Sequence, residues 1–305
     1  VTTDAVRLAH ISDLHLGPLP AFSPRHWNLK RGLGFINWQR KRRRIHQRDV
    51  IDRLVADMSL RAPDHIAVTG DLVNIGLPEE YTGAARWLAG LGAPDRVTVV
   101  PGNHDIYVRL AADAGIAHWA PYMQPCAWGA KLQGEAAFPF VRCVGDVALI
   151  GLNSAHPTLP AVATGRLGVA QRAALAKLLD ATAAAGLVSV VLIHHPPLPG
   201  QIDRRHALAD AAELETVLSE HGADLVLHGH THLDTLLRRP SRRGETVVCG
   251  IASGSAGHMH KGAPLARYNL FRLWREGGKA RIEMQGRGIS AETGEMIDLG
   301  KHTLA

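Results

Sequence analysis

Five short apolar runs in this chain each stop on an imidazole, a carboxylate or an amide, and this repetition limits the fold more than any other feature. Val6–Ile11 leads to Asp13 and His15, His65–Thr69 to Gly70-Asp71, and Val97–Val100 to Gly102-Asn103-His104-Asp105. Val188–Ile193 leads to His194, and Ala223–Leu227 to His228-Gly229-His230-Thr231-His232. Short runs rich in Val, Ile and Leu, alternating with helical stretches, read as buried strands of βαβ units. In an open α/β sheet, functional groups gather beyond the carboxyl ends of parallel strands. The pattern therefore predicts an α/β protein that carries its polar groups to one edge.

Between the runs, Ile51, Leu54, Val55 and Met58 fall at i, i+3, i+4 and i+7, which predicts a helix over Val50–Met58. Further helices are expected around Tyr81–Leu91 and over Val169–Ala185 and Ala209–His221. Val141–Leu152 reads as paired strands around Gly145-Asp146. Thr246–Met284 alternates like antiparallel strands, with Gly250–Gly257 as a flexible joint. Ile106–Phe138, which holds Trp119, Tyr122 and Trp128, is expected to loop over the site. No linker or internal repeat divides the 305 residues, so one domain is expected over 1–305, with an insertion at about 18–49.

That insertion carries the charge. No acidic residue lies between Asp13 and Asp49, whereas Arg25, Lys30, Arg31, Arg40, Lys41, Arg42, Arg43, Arg44 and Arg48 do. The formal net charge is +6, so the rest of the chain is net negative. Pro18, Pro20 and Pro24 break its start, and Leu29–His46 then reads as a basic helical stretch. Phe35, Trp38 and Ile45 form a narrow apolar stripe that would hold it to the domain. Such a segment also suits an anionic membrane surface, through residues 25–48, or nucleic acid.

Cys126, Cys143 and Cys249 are odd in number, separated in sequence and in no C-x-x-C pair, which implies neither a disulfide framework nor a zinc ribbon. A reducing compartment is expected. No stretch approaches a membrane span, and the chain starts with a strand-like run rather than a signal peptide. The expected location is cytoplasmic, peripheral to the inner membrane if the insertion docks there.

Buried carboxylates and imidazoles are costly unless paired or bound to metal. Mixed oxygen and nitrogen donors favour Mn, Fe, Zn, Ni or Co over Ca or Mg. The donors at the five strand ends are too many for one ion, so two are implied. His10 reads as a satisfied histidine inside its strand, and His228 as one making a local hydrogen bond. His258 and His260 follow a glycine-rich loop that would close over the site, as non-ligands.

The ordered set Asp13-Leu14-His15, Gly70-Asp71, Gly102-Asn103-His104-Asp105, His194 and Gly229-His230-Thr231-His232 resembles the calcineurin-like metallophosphoesterase superfamily. His194-His195-Pro196-Pro197, with Gly165 and the Gln171 helix ahead of it, is similar to the bacterial cyclic-nucleotide and glycerophosphodiester phosphodiesterase branch. The resemblance implies a four-layer α/β/β/α sandwich of two mixed sheets. It implies two metal ions, with Mn, Fe or Zn expected: one on Asp13, His15 and His232, the other on Asn103, His194 and His230, with Asp71 bridging. His104 would face the phosphate, and Asp105 would orient His104 through a hydrogen bond. His195, Arg40, Arg42, Arg43 and Trp38 are the candidates for substrate contact.

The expected function is a dinuclear metal-dependent phosphodiesterase. The alternatives are a pyrophosphatase of a lipid-linked nucleotide such as UDP-2,3-diacylglucosamine, a nuclease, and a non-catalytic scaffold. The scaffold reading sits poorly with a complete ligand set. A phosphodiester or pyrophosphate substrate follows from the leading readings, and the oligomeric state is left open.

Overall fold

The computed structural model describes residues 5–110 and 114–305. In chain order the first elements are β1 (Val6–Ile11), α1 (Leu29–Asn37), α2 (Arg43–Ile45), α3 (Arg48–Leu60), β2 (His65–Val68), α4 (Pro78–Leu91) and β3 (Val97–Val99). A 3-10 segment at Gly115–Met123 and the short α5 (Ala127–Ala130) precede the hairpin β4 (Phe140–Val144) and β5 (Val147–Gly151). Then come α6 (Gly168–Ala184), β6 (Val188–Leu192), α7 (Ala211–His221) and β7 (Leu225–His228). The chain ends with β8 (Thr235–Ser241), β9 (Gly244–Gly250), β10 (Arg267–Glu276), β11 (Lys279–Ile289) and β12 (Met296–Thr303).

These strands form two six-stranded mixed sheets, ordered β12-β11-β10-β1-β2-β3 and β4-β5-β6-β7-β9-β8. Three apolar layers hold the stack together. Between the sheets, Leu8, Ala67 and Phe271 meet Leu149, Val190 and Leu227. Outside the first sheet, Leu54, Met58, Tyr81 and Leu88 of α3 and α4 cover Ala9, Ile11 and Val68. Outside the second, Leu175, Leu179, Leu214 and Leu218 of α6 and α7 cover Ile150, Val191 and Val226. The result is the expected four-layer α/β/β/α sandwich. Adjacent residues of β1 and β6 enter different layers, which explains why these runs are apolar throughout rather than alternating. Each fully buried leucine here contributes about 1.5–3 kcal/mol.

Register delivers the strand ends together. Ile11 pairs with Val68 and Val68 with Val99, so β1, β2 and β3 finish flush. In the second sheet Leu192 pairs with Leu227. Two hydrogen bonds then tie the sheets at this edge: His194 Nδ1 to the Thr69 carbonyl at 2.7 Å, and His230 N–H to Asp13 Oδ2 at 2.9 Å.

Several expectations need correction. Gly250–Gly257 is no flexible joint: Ile251 to Ala256 are buried, and the Ser253 and Ser255 hydroxyls both donate to the Asp13 carbonyl, at 2.6 and 3.1 Å. β9 joins the second sheet parallel to β7, whereas β10 and β11 belong to the first, so Thr246–Met284 is not one antiparallel unit. Within Ile106–Phe138, Tyr107 lines the site, but Gly115–Met123 packs beside α4, and α5 packs against β4, instead of looping over it, with Trp119 buried and donating to the Tyr81 carbonyl at 3.1 Å. Residues 111–113 of that stretch lie outside the described residues. Finally, the fold brings Cys126 Sγ to 2.7 Å from Cys143 Sγ, a proximity their spacing does not reveal.

Candidate functional site

Four of the five strand ends open into one cleft of about 710 Å³, walled by His15, Asp71, Asn103, His104, His230 and His232 and by residues of the insertion, while His194 of the fifth is buried 3.0 Å from Asn103 Oδ1. Asp13, His15 and His232 bring ligand atoms within 4.8 Å of one another, as do Asp71, His194 and His230, and His15, Asp71 and His104. Backbone conformation contributes to this convergence. Asp13, His15, Asp71, His230 and His232 all have positive φ, between 41° and 69°, a region costly for residues with a side chain. Ordinary backbone would aim these side chains elsewhere.

Glycines supply the room. A Cβ on Gly102 would strike the Asp71 carboxylate and come within 2.8 Å of His194 Cε1, so this position is small because two loops and a ligand crowd it. The backbone also turns sharply here, with the Asp105 N–H donating to the Gly102 carbonyl at 3.1 Å, but the φ of Gly102 is not positive, so the crowding and not the conformation calls for glycine. A Cβ on Gly229 would likewise enter Ser12 and the Asp13 carboxylate.

Tautomers follow from the hydrogen bonds. With Nδ1 donating to the Thr69 carbonyl, His194 turns Nε2 toward Asn103 Oδ1 at 3.0 Å and Asp71 Oδ1 at 3.5 Å. With His230 Nδ1 also 3.2 Å away, these atoms form a convergent nitrogen and oxygen donor set that suits a cation. His15 Nδ1 donates to the Val73 carbonyl at 3.2 Å, leaving Nε2 3.8 Å from Asp71 Oδ2. Asp13 Oδ1 lies 3.2 Å from His232 Nε2 without hydrogen-bond geometry, and both it and His230 Nε2 are buried without a hydrogen-bond partner. Burial and the nearby Asp13 charge push the Asp71 carboxyl up to about 8. Burial also holds His15 and His230 well below the usual imidazole range. Neutral imidazoles, two crowded carboxylates and unpartnered acceptors fit two divalent cations.

The sequence-derived roles divide at Asp105. Its carboxylate accepts from the backbone N–H of Asp71 and Gly102, each at 2.8 Å, and of Leu72 and Val73, at 2.8 and 3.1 Å. It does not bond the His104 ring, as had been expected, because the ring points away into the cleft. The partner of His104 Nδ1 is instead the Asn74 carbonyl. Asn74 is fixed in turn by Glu80, whose Oε1 accepts its N–H at 2.7 Å.

Of the substrate-contact candidates, one reaches the centre. Arg42 Nη1 lies 2.9 Å from His104 Nε2, and Nη2 lies 2.8 Å from His15 Nε2. Arg40 and Arg43 are exposed, Trp38 is half-buried, and none of the three lines the cleft. A π-helical turn at Trp38–Arg42 widens the expected continuous helix and separates Arg42 from its neighbours. His195 is also absent from the cleft wall. Its Nδ1 is 2.7 Å from Ser154 Oγ, its Nε2 is 3.1 Å from the Ala163 carbonyl, and it is fully buried.

Sequence reasoning passed over His46, Tyr107 and Lys30, all of which line the cleft. His46 Nδ1 is 2.7 Å from Ser255 Oγ, and its ring lies 4.4 Å from that of His15. Tyr107 stacks on His104 at 5.3 Å, and Lys30 Nζ sits 4.3 Å above the Tyr107 ring. No strand end announces these residues. Only the histidine inside an arginine run was a local signal.

Residues 6–234 match the profile of the calcineurin-like phosphoesterase family. The chain belongs to that family. Among curated relatives, a probable cyclic nucleotide phosphodiesterase of Synechococcus is 28% identical over 179 residues, 58% of this chain and 60% of that protein. A cAMP/cGMP dual specificity phosphodiesterase of Mycobacterium tuberculosis is 29% identical over 181 residues, 57% of this chain and 50% of the other. A glycerophosphodiester phosphodiesterase of Enterobacter lignolyticus is 39% identical over 99 residues, 32% of this chain and 29% of the other. The matched stretches thus span less than two thirds of each relative. In fold, this calcineurin-like chain is similar to a dimetal phosphatase of Danio rerio, with a TM-score of 0.60 at 13% identity over 97% of this chain and 99% of that one.

Proposed function

We propose that the protein is a dinuclear metal-dependent phosphodiesterase, in which Asp13, His15 and His232 would hold one metal ion, Asn103, His194 and His230 the other, and Asp71 would be shared between them. The observation that carries this reading is the convergence of candidate ligand atoms: His194 Nε2 lies 3.0 Å from Asn103 Oδ1, 3.2 Å from His230 Nδ1 and 3.5 Å from Asp71 Oδ1. The phosphodiesterase names of the curated relatives support the substrate class. Mn, Fe or Zn suits this donor set.

Bound metal ions supply Lewis acidity, which makes water a competent nucleophile at neutral pH and neutralises charge on phosphoryl oxygens. The chain's own groups do the rest. Asp105 grips four backbone N–H groups and so fixes the loop that aims Asp71. Asn74 holds the His104 ring so that Nε2 faces the cleft, where it can hydrogen-bond a phosphoryl or leaving-group oxygen. Arg42 presents its fork beside His104 and His15, and an entering phosphodiester would take these N–H donors as a bidentate clamp. Tyr107 and Lys30 bracket the same side of the cleft.

The test is hydrolysis of bis(p-nitrophenyl) phosphate and of natural diesters by protein loaded with Mn or Zn, compared with chelated protein. Metal-dependent turnover is expected. Loaded protein that hydrolyses none of them refutes the reading.

A further inference from the structure

Helix α1 is amphipathic in the reverse of the usual sense. Its inward face carries Arg31, buried and donating to the Ile75 carbonyl at 3.3 Å and the His26 carbonyl at 3.1 Å. Its outward face carries Leu29, Leu33 and Ile36, at i, i+4 and i+7, which are 68%, 49% and 44% exposed. Trp27, just before the helix, is 61% exposed. An aliphatic stripe turned to water alongside a buried arginine has no explanation in the packing of the described residues.

The stripe continues around the cleft. Leu33 is both part of it and part of the cleft wall. On the other lips, Leu159 is 75% exposed beside the cleft-lining Pro160 to Ala163, Leu233 is 41% exposed within the wall, and Met259 is 68% exposed between the cleft-lining His258 and His260. Hydrogen bonds join these lips to the insertion: Lys30 Nζ to Thr158 Oγ1 at 2.9 Å, and Gly257 N–H to the Ile45 carbonyl at 2.7 Å. Exposed apolar side chains thus gather on one rim from four separate segments. Arg40, Lys41, Arg43 and Arg44 stand exposed beside them, and no carboxylate between positions 14 and 48 neutralises them.

We infer that this rim docks on an anionic lipid bilayer, so that the cleft opens against the membrane and takes a phosphodiester presented at its surface. The substrate part rests on the phosphodiesterase reading; the docking part does not. Charge complementarity selects the occupant: arginines meet anionic headgroups while Trp27, Leu29 and Ile36 enter the headgroup boundary. Nucleic acid would use the arginines but gain nothing from exposed aliphatic side chains.

The test is co-sedimentation of the full chain with phosphatidylcholine vesicles, with and without phosphatidylglycerol. Binding that requires phosphatidylglycerol and weakens with salt is expected. Leu29→Asn/Ile36→Asn, outside the cleft wall, should weaken it by about tenfold or more, and Arg43→Gln/Arg44→Gln by a similar factor. Hydrolysis of soluble bis(p-nitrophenyl) phosphate by both variants should match the parent, which also shows that they fold. No phosphatidylglycerol-dependent binding overturns the inference. So does binding that survives Leu29→Asn/Ile36→Asn, the signature of a general polyanion or nucleic-acid surface, or a concentration-dependent dimer lost in that variant. Vesicle binding without diester hydrolysis would refute the phosphodiesterase reading and leave the docking surface standing.

Discussion

The Asp105 carboxylate is bound at 2.8 Å to the backbone N–H of Asp71, so an anchor on one loop fixes the proposed bridging ligand on another. With Gly102, Leu72 and Val73 also donating to it, Asp105 clamps the end of β2 to the end of β3. Asparagine at this position keeps one acceptor oxygen and places an NH₂ against backbone donors. Asp105→Asn should therefore cost about 2–4 kcal/mol of stability and weaken metal binding. Urea unfolding together with metal titration checks both effects. If Asp105 served only to orient His104, turnover would fall while stability and metal affinity stayed unchanged.

His104 belongs to the phosphate side in the proposed mechanism, since its ring nitrogens are used by the Asn74 carbonyl and the cleft. His104→Ala should retain two metal ions per chain and lose about 10²–10⁴-fold in kcat. Metal analysis of the dialysed variant beside its kinetics decides the matter. A variant that loses one ion would make His104 a ligand.

Arg42 spans two imidazoles with one planar fork, Nη1 on His104 and Nη2 on His15. Arg42→Ala should lower kcat/KM for a phosphodiester by about 10²–10³-fold, the scale of losing a preorganised donor at a developing charge. Arg42→Lys should restore little, because a point charge cannot reproduce the fork. Unchanged kcat/KM in Arg42→Ala would remove the insertion from the chemistry.

How far the sequence discloses all this depends on how local each relationship is. Asp13, Asp71, Asn103, His194 and His232 are legible because each follows an apolar run that can only be a buried strand, and flush registers do the rest. Asp105 misleads because it adjoins His104 in sequence while three of its four partners lie more than thirty residues away. Arg42 is indistinguishable from Arg40 and Arg43 until a π-helical turn separates them. The positive φ of five candidate ligands and the crowding at Gly102 arise from tertiary packing, which no single stretch encodes. The outward stripe of α1 shows the same limit. Helical spacing singles out Phe35, Trp38 and Ile45, and only the fold reveals that Leu29, Leu33 and Ile36 point to water.

Acid stability tests the packing of β2 independently of the site. His65 is buried there with Nε2 2.7 Å from Thr98 Oγ1 of β3, and burial, reinforced by Arg142 and Arg96, pushes its pKa from the usual 6.5 down to about 3. The unfolded chain therefore binds a proton at this position that the folded chain refuses. Stability from the neutral ring is full above pH 6.5 and is lost as pH falls from 6.5 toward about 3, by up to about 1.4 kcal/mol per pH unit. Urea unfolding of the parent and of His65→Asn across that window measures it. The variant starts less stable at neutral pH, yet its stability should fall less steeply with acid, the slope differing by up to one proton. Parallel curves would mean that His65 titrates alike in both states, and that its burial between Thr98 and the arginines does not hold it neutral.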